Sequence, residues 1–313
     1  MPLHVETPLV ESAQLSAASG RRVWIKLESA QPTGSFKLRG IGHACEVRYA
    51  EGARRFVSSS GGNAGLAAAH AGRRLGVPVT VVVPRTATER ARALLAAEDA
   101  EVIVHGESWQ EANELALSLL GPDAAFLHPF DDPLAWQGHA TLVDEVAAAG
   151  LRPDAVVLSV GGGGLLCGVA IGMRRHGWDE VPIIAVETKG AASYRAALEA
   201  GGPVEIPKIA SVATSLGARR VCEPAWRWSL ERPVVSAVVS DLQALDACER
   251  FLSDHGPLVE PACGASLALA YGDDPALEPY RNVLVVACGG VTATLDHLRE
   301  WTAAAREAET VGP

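Results

Sequence analysis

Gln31-Pro32-Thr33-Gly34-Ser35-Phe36-Lys37-Leu38-Arg39-Gly40 joins a strand to a helix and puts a lysine at the joint. The apolar run Val23-Trp24-Ile25-Lys26-Leu27 precedes it and ends at Glu28. Pro32, Gly34 and Ser35 punctuate a turn. Ser35 is placed to cap a helix starting at Phe36. Lys37 then falls in the first helical turn, where the helix dipole is positive and a cation is disfavoured. Helix stability does not explain a lysine there. A lysine that works as a neutral amine, or that is modified as a Schiff base with a carbonyl compound, fits. An ordinary surface lysine after a turn fits the same ten residues, so the rest of the chain must decide.

The chain has 313 residues, 48% of them hydrophobic and 20% charged. That suffices for one large or two ordinary domains with filled cores, in a globular composition. The net charge of −10 and the pI near 5.4 argue against nucleic acid or an anionic membrane as partner, since both require basic patches. No basic segment followed by an apolar one opens the chain, so no signal peptide is expected. No apolar run approaches the length of a membrane span. Cys45, Cys167, Cys222, Cys248, Cys263 and Cys288 have no paired spacing, and neither CxxC nor HExxH occurs. A structural zinc site is therefore not expected. Scattered thiols point to a reducing cytoplasm. The nine histidines form no metal spacing and read as structural or surface residues.

From Phe56 onward helix and strand patterns alternate. Asn63 to Leu75 predicts a helix stopped by Gly76 and Pro78, and Val79 to Val83 a buried strand. Helices are expected over 88–98, 109–120, 135–149, from about 165, over 241–254 and over 292–308. Strands are expected over 102–104, 125–127, 155–160, 183–186 and 283–287. Strands that read as continuous apolar runs between helices imply α/β architecture with parallel sheets covered on both faces.

Two further loops share the strand–loop–helix context of Lys37. Ser58-Ser59-Ser60-Gly61-Gly62-Asn63-Ala64-Gly65 follows Phe56-Val57 and opens an Ala-rich helix. Successive N–H groups at a helix start make an anion site, and glycines let a ligand approach the backbone. A plain cap and turn would use the same residues. Gly161-Gly162-Gly163-Gly164 follows Val156 to Val160 and exposes N–H donors to a phosphate with no side chain in the way. No Lys-Ser or Lys-Thr follows, so it is not a Walker A loop. Gly162-x-Gly164-x-x-x-Gly168, with Glu187 ending the next strand, also fits a loose dinucleotide fingerprint, which makes an NAD-binding oxidoreductase the rival reading. That reading leaves Lys37 and the Asn63 loop unexplained.

These three sites in this order resemble the fold-type II family of pyridoxal-phosphate enzymes, and most of all its L-serine dehydratase (L-serine/L-threonine deaminase) branch. The likeness runs from Leu3-His4-Val5-Glu6-Thr7-Pro8-Leu9 to Cys288-Gly289-Gly290. It implies two parallel-sheet domains of three αβα layers with the cofactor in the cleft between them. The small domain, residues 38–132, would be inserted into a large one made of 1–37 and 133–313. It implies that pyridoxal 5'-phosphate is held by Lys37, with Gly161, Gly162, Gly163 and Gly164 around the phosphate and Asn63 on the ring hydroxyl oxygen. Phe36 would pack on one ring face with Ser215 opposite, and Cys288 would face the ring nitrogen. Ser59, Ser60, Gly61 and Asn63 would bind the substrate, with Ser60 joining Lys37 in the catalytic set. Glu187, Ala191 and Ser193 would bind K+ or another monovalent cation. Val259 to Ala265 would support the site. Where Gly61 stands, liver-type dehydratases often carry alanine.

Cys288 bears on the chemistry. A neutral thiol donates only a weak hydrogen bond, so the ring nitrogen stays neutral and the ring a weaker electron sink. That favours β-elimination, where the leaving hydroxyl carries off the electron pair, over racemisation or transamination. The expected reaction converts L-serine to pyruvate and ammonia, and L-threonine to 2-oxobutyrate, in amino-acid catabolism and gluconeogenesis, by a cytoplasmic homodimer. Other β-eliminating or β-replacing enzymes of the fold, and a non-catalytic binder, stay open at this point. No GxSxG elbow surrounds Ser58 to Ser60, so a hydrolase is not expected. The short stretch after the last helix leaves no room for a regulatory domain, so no allosteric inhibition by isoleucine is expected.

Overall fold

The computed structural model describes residues 2–311, and their side chains as far as residue 308; Met1, Gly312 and Pro313, which fall within the expected large domain, lie outside the described residues. The first half runs β1 (Leu9–Glu11), α1 (Ala13–Ser19), β2 (Arg22–Leu27), α2 (Lys37–Ala50), β3 (Arg55–Ser58), α3 (Asn63–Leu75), β4 (Val79–Val83), α4 (Glu89–Ala97), β5 (Glu101–Val104), α5 (Trp109–Ser118) and β6 (Ala124–Phe126). The second runs α6 (Pro133–Ala148), β7 (Ala155–Ser159), α7 (Gly164–Arg175), β8 (Ile183–Thr188), α8 (Ser193–Ala200), α9 (Glu223–Glu231), β9 (Val234–Val239), α10 (Asp241–His255), α11 (Pro261–Tyr271), β10 (Asn282–Ala287) and α12 (Leu295–Val311).

Two sheets result, with strand orders β1-β2-β10-β7-β8-β9 and β5-β4-β3-β6. All pairs are parallel except β1 with β2. Every residue of β4, β7 and β8 is buried, as continuous apolar runs require when helices cover both faces. β10 lies between β2 and β7, with Val285 opposite both Ile25 and Val157. The end of the chain thus completes a sheet that the start began, and β3 to β6 form their own sheet between. Each sheet has its own core, one around Leu166, Tyr194 and Phe251, the other around Leu38, Phe56 and Leu95.

The predicted helix after the lysine turn forms, but Ser35 does not cap it. The residue before α2 is Phe36, in right-handed helical conformation and without a side-chain cap. Leu38 N–H donates to the Ser35 carbonyl and Arg39 N–H to that of Phe36, so main-chain oxygens satisfy the donors a cap would serve. The Ser35 hydroxyl is buried and has no partner. α11 was not legible because it is apolar all round and buried along its length, which erases the helical period.

Arg39, in the first turn of α2, is fully buried. Its guanidinium donates to both oxygens of Glu28, at 2.7 and 2.9 Å, to both oxygens of Glu145, at 2.5 and 2.7 Å, and to Thr7 and Thr141. Lys26, also buried, donates to Glu145 at 2.5 Å and to the Thr7 carbonyl at 2.6 Å. Burial alone would lower the Arg39 pKa, but Glu145 and Glu28 raise it. The cluster ties the N-terminal segment, β2, α2 and α6 together. Arg39→Ala strands the buried Glu28 carboxylate, and removing one partner of a buried pair costs about 3–5 kcal/mol. Urea unfolding of Arg39→Ala should show a loss of that size; a change below about 1 kcal/mol would contradict it.

Candidate active site

The Lys37 turn is clamped to the turn after β10. Phe36 N–H donates to the Cys288 carbonyl at 3.1 Å and Gly290 N–H to that of Gly34 at 2.8 Å, and Ser35 bridges Gly289. Gly34 has φ +71, and a Cβ there would lie 2.2 Å from Val291, so no other residue fits this contact. Lys37 is half-buried. Its Nζ donates to the Pro129 carbonyl at 2.5 Å and lies 5.0 Å from the centre of the Phe36 ring. Burial, only partly offset by Cys288 and Cys222, lowers its pKa to about 8. A hydrogen bond with Cys263, then burial, push the Cys288 thiol well up, so it stays neutral.

Phe130 connects Lys37 to the tetraglycine loop. It follows Pro129, and a Cβ on Gly162 would sit 2.2 Å from its ring. The other three glycines are equally confined: a Cβ would meet Leu216 at 2.9 Å from Gly161, Ala225 at 2.4 Å from Gly163 and the Phe130 carbonyl at 2.7 Å from Gly164. The loop is bare because its neighbours leave no room. It ends at the first turn of α7, whose free N–H groups favour an anion.

Asn63 starts α3 on the other sheet's side. Its Nδ2 donates to Glu260 at 3.0 and 3.2 Å, and its Oδ1 accepts from Val291 N–H at 3.4 Å. A carboxylate only accepts and an N–H only donates, so this network fixes which way the amide faces. Glu260 is buried and also accepts from the Ser215 hydroxyl at 2.6 Å, Thr292 N–H at 2.8 Å and the Thr292 hydroxyl. Ser215 itself is exposed, in a 3-10 turn over Thr214–Leu216. In the loop before Asn63, the Ser59 hydroxyl is turned onto Asn113 at 2.8 Å, while the Ser60 hydroxyl accepts from Gly62 N–H at 3.3 Å. A Cβ on Gly61 would lie 3.2 Å from Val83 and 3.6 Å from Ala87.

The structure therefore brings Lys37, Phe36 and Cys288 together, sets the tetraglycine loop beside them through Phe130, and joins Asn63 to Ser215 through Glu260. Glu187 lies apart from these contacts, buried at the end of β8. It accepts from Tyr194 N–H at 2.7 Å and Arg195 N–H at 2.8 Å, and burial raises its pKa to about 7. Both of its oxygens are turned onto the first turn of α8. Ala191 and Ser193 adjoin it, and the buried Ser193 hydroxyl has no partner. Sequence reasoning missed Pro129, Phe130 and Thr292, and gave Glu260 only a supporting place. The one local signal was the Glu260-Pro261 pair at a helix start.

The Lys37 amine should be half neutral near pH 8. In dialysed protein, labelling of Lys37 by acetic anhydride, followed by mass spectrometry, should rise with a midpoint near 8; a midpoint near the ordinary 10.5 would refute the buried-amine assignment.

Comparison with known proteins agrees with this geometry. The sequence pattern of the family described as "Pyridoxal-phosphate dependent enzyme" matches residues 1–289. An L-serine dehydratase/L-threonine deaminase of Mus musculus is 47% identical over 308 residues, covering 95% of this chain and 94% of the relative. A serine dehydratase-like protein of Mus musculus is 46% identical over 309 residues, covering 96% and 94%. Among solved structures, a fungal L-serine ammonia-lyase from Rhizomucor miehei superposes with a TM-score of 0.92 at 36% identity, covering 97% of this chain and 99% of its own. With a family pattern over residues 1–289 and relatives of this identity and coverage, the chain belongs to the pyridoxal-phosphate-dependent enzyme family.

Proposed function

We propose that the chain is an ammonia-lyase that takes L-serine to pyruvate and ammonia, and L-threonine to 2-oxobutyrate. The observation that carries this is the buried Lys37 amine, lowered to about 8, clamped beside a neutral Cys288 thiol. The printed names of the relatives, serine dehydratase and threonine deaminase, support it.

Bound pyridoxal phosphate supplies the electron sink that acidifies the substrate Cα proton. Lys37 would hold it, and the Lys37 Nζ, as a neutral amine, would take that proton. Gly161 to Gly164 offer N–H donors to the phosphate. Asn63 would meet the ring hydroxyl oxygen. Phe36 and Ser215 flank the ring, and Cys288 faces its nitrogen without charging it, which suits loss of a β-hydroxyl. Ser59, Ser60, Gly61 and Asn63 receive the substrate carboxylate, with Ser60 beside Lys37 in proton handling. Water then hydrolyses the released enamine.

The proposal extends to a large unit of residues 1–37 and 133–313 and a small one of 38–132, a division that sheet membership supports. It also includes a monovalent cation, K+ or a similar ion, at Glu187, Ala191 and Ser193, and a cytoplasmic homodimer in amino-acid catabolism that feeds gluconeogenesis. Among the described residues no helix is long and apolar enough to cross a membrane.

Purified protein should show a visible absorption band with pyridoxal phosphate and form pyruvate from L-serine in a coupled assay. Lys37→Ala should lose the band and at least about 10²-fold in turnover. A sulfide-dependent product in place of pyruvate would replace the lyase with a β-replacement enzyme. Two glycines should part company. Gly162→Ala drives a Cβ into the Phe130 ring and should weaken cofactor binding at least about tenfold, by roughly 1.4 kcal/mol. Gly61→Ala needs only a small give from Val83, and should bind cofactor normally and gain up to about 1 kcal/mol of stability. Equal behaviour of the two in a cofactor titration would show the cradle assignment to be wrong.

A further inference from the structure

His139, on α6, is a buried titratable group that the proposed chemistry does not use. The residue is 1% exposed, and neither Nδ1 nor Nε2 reaches a partner in full hydrogen-bond geometry; a weaker contact with the Phe36 main chain raises its pKa. Each such orphan costs about 1–3 kcal/mol, so folding stability alone does not favour an imidazole here. Yet the surroundings are shaped to it. A Cβ on Gly40, in α2, would lie 2.3 Å from its Cε1 and 2.5 Å from its Nε2. A Cβ on Gly168, in α7, would lie 2.3 Å from its Cβ. Two helices give up side chains to seat one residue.

The seated ring meets Phe36, with centroids 4.9 Å apart and planes inclined by 54°. Phe36 in turn lies against Lys37 Nζ. Burial first, then the charges of Lys37 and Arg39, hold the His139 pKa well below 6.5. The group pressed on Phe36 is thus a neutral, flat ring that brings no charge beside the Lys37 amine.

We infer that His139 is a positioning residue: it backs the Phe36 ring and so sets the plane in which the cofactor ring lies over Lys37. The inference rests on the proposed placement of the cofactor against Phe36. His139 touches neither cofactor nor substrate in this role and acts through Phe36 alone. An aliphatic side chain of the same bulk would fill the space but would not present a flat face to the phenyl ring.

The test compares His139→Ala and His139→Gln with the parent protein. The chain has five phenylalanines, so 4-fluorophenylalanine labelling gives five fluorine signals, and Phe36→Leu identifies the one of interest. In His139→Ala that signal should shift or broaden, with or without cofactor. The visible circular dichroism of the bound cofactor should fall by about half or more. At saturating cofactor kcat should drop about tenfold or more, as misplacement of a reacting group does, with KM changed less than about twofold. His139→Gln, a flat amide of similar volume, should recover most of each signal. An unmoved Phe36 signal, or a variant that loses only thermal stability while dichroism and kcat hold, would overturn the inference. If Ala fails to fold, His139→Leu, which fills the space without a planar group, takes its place, and an unmoved Phe36 signal in that variant overturns the inference equally. Absence of any visible band in the parent would instead remove the cofactor reading, while the fluorine signal still reports on the His139–Phe36 contact.

Discussion

The buried guanidinium of Arg39 is the constraint on which the architecture rests. Two carboxylates and two threonines from distant parts of the chain converge on it, and Lys26 joins them through Glu145 and the Thr7 carbonyl. Burying so much charge is costly, and well-packed apolar residues often do as well or better for stability. Directional bonds do something apolar contacts cannot: they fix the rotation of α2 about its axis. Lys37 stands two residues earlier on that helix, so the orientation of its side chain follows from a cluster it does not touch.

Glu260 plays a corresponding part on the facing side. Among the described residues it carries no cation partner, only neutral donors from Asn63, Ser215 and Thr292. Such a carboxylate collects hydroxyl, amide and backbone groups from three separate segments and gives each a defined direction. The acids of the two clusters differ in kind. Glu28 and Glu145 balance charge and hold helices, whereas Glu260 orders dipoles that face the cleft.

Much of this was legible in the sequence where punctuation is local. α3 and β4 begin and end where glycine and proline place them, at Asn63 to Leu75 and Val79 to Val83. The Lys37, Asn63 and tetraglycine loops were found because each sits between a strand and a helix. Long-range contacts were not legible. The hydrogen bonds between Asn63 and Glu260 span 197 residues, and nothing near either one announces the other. Ser35 reads as a cap only until the turn at Gly289 takes the backbone beside it. His139 reads as one histidine among nine until three helices close around it. β9 and α11 escaped for opposite reasons, one half-exposed and the other buried on all sides.

The crowding around the tetraglycine loop bears on how this sequence can drift. Every other amino acid carries at least a Cβ, and at Gly161, Gly162, Gly163 and Gly164 that single carbon already lies under 3.0 Å from a neighbouring atom. Three of those neighbours belong to Phe130, Leu216 and Ala225, which are themselves held in place by packing. Four consecutive codons therefore have no missense neighbour that the fold accepts without moving something else first. Gly61, where Val83 need give only a few tenths of an ångström, is free to become alanine. Divergence among descendants of this chain will accumulate at Gly61 long before it reaches the tetraglycine loop.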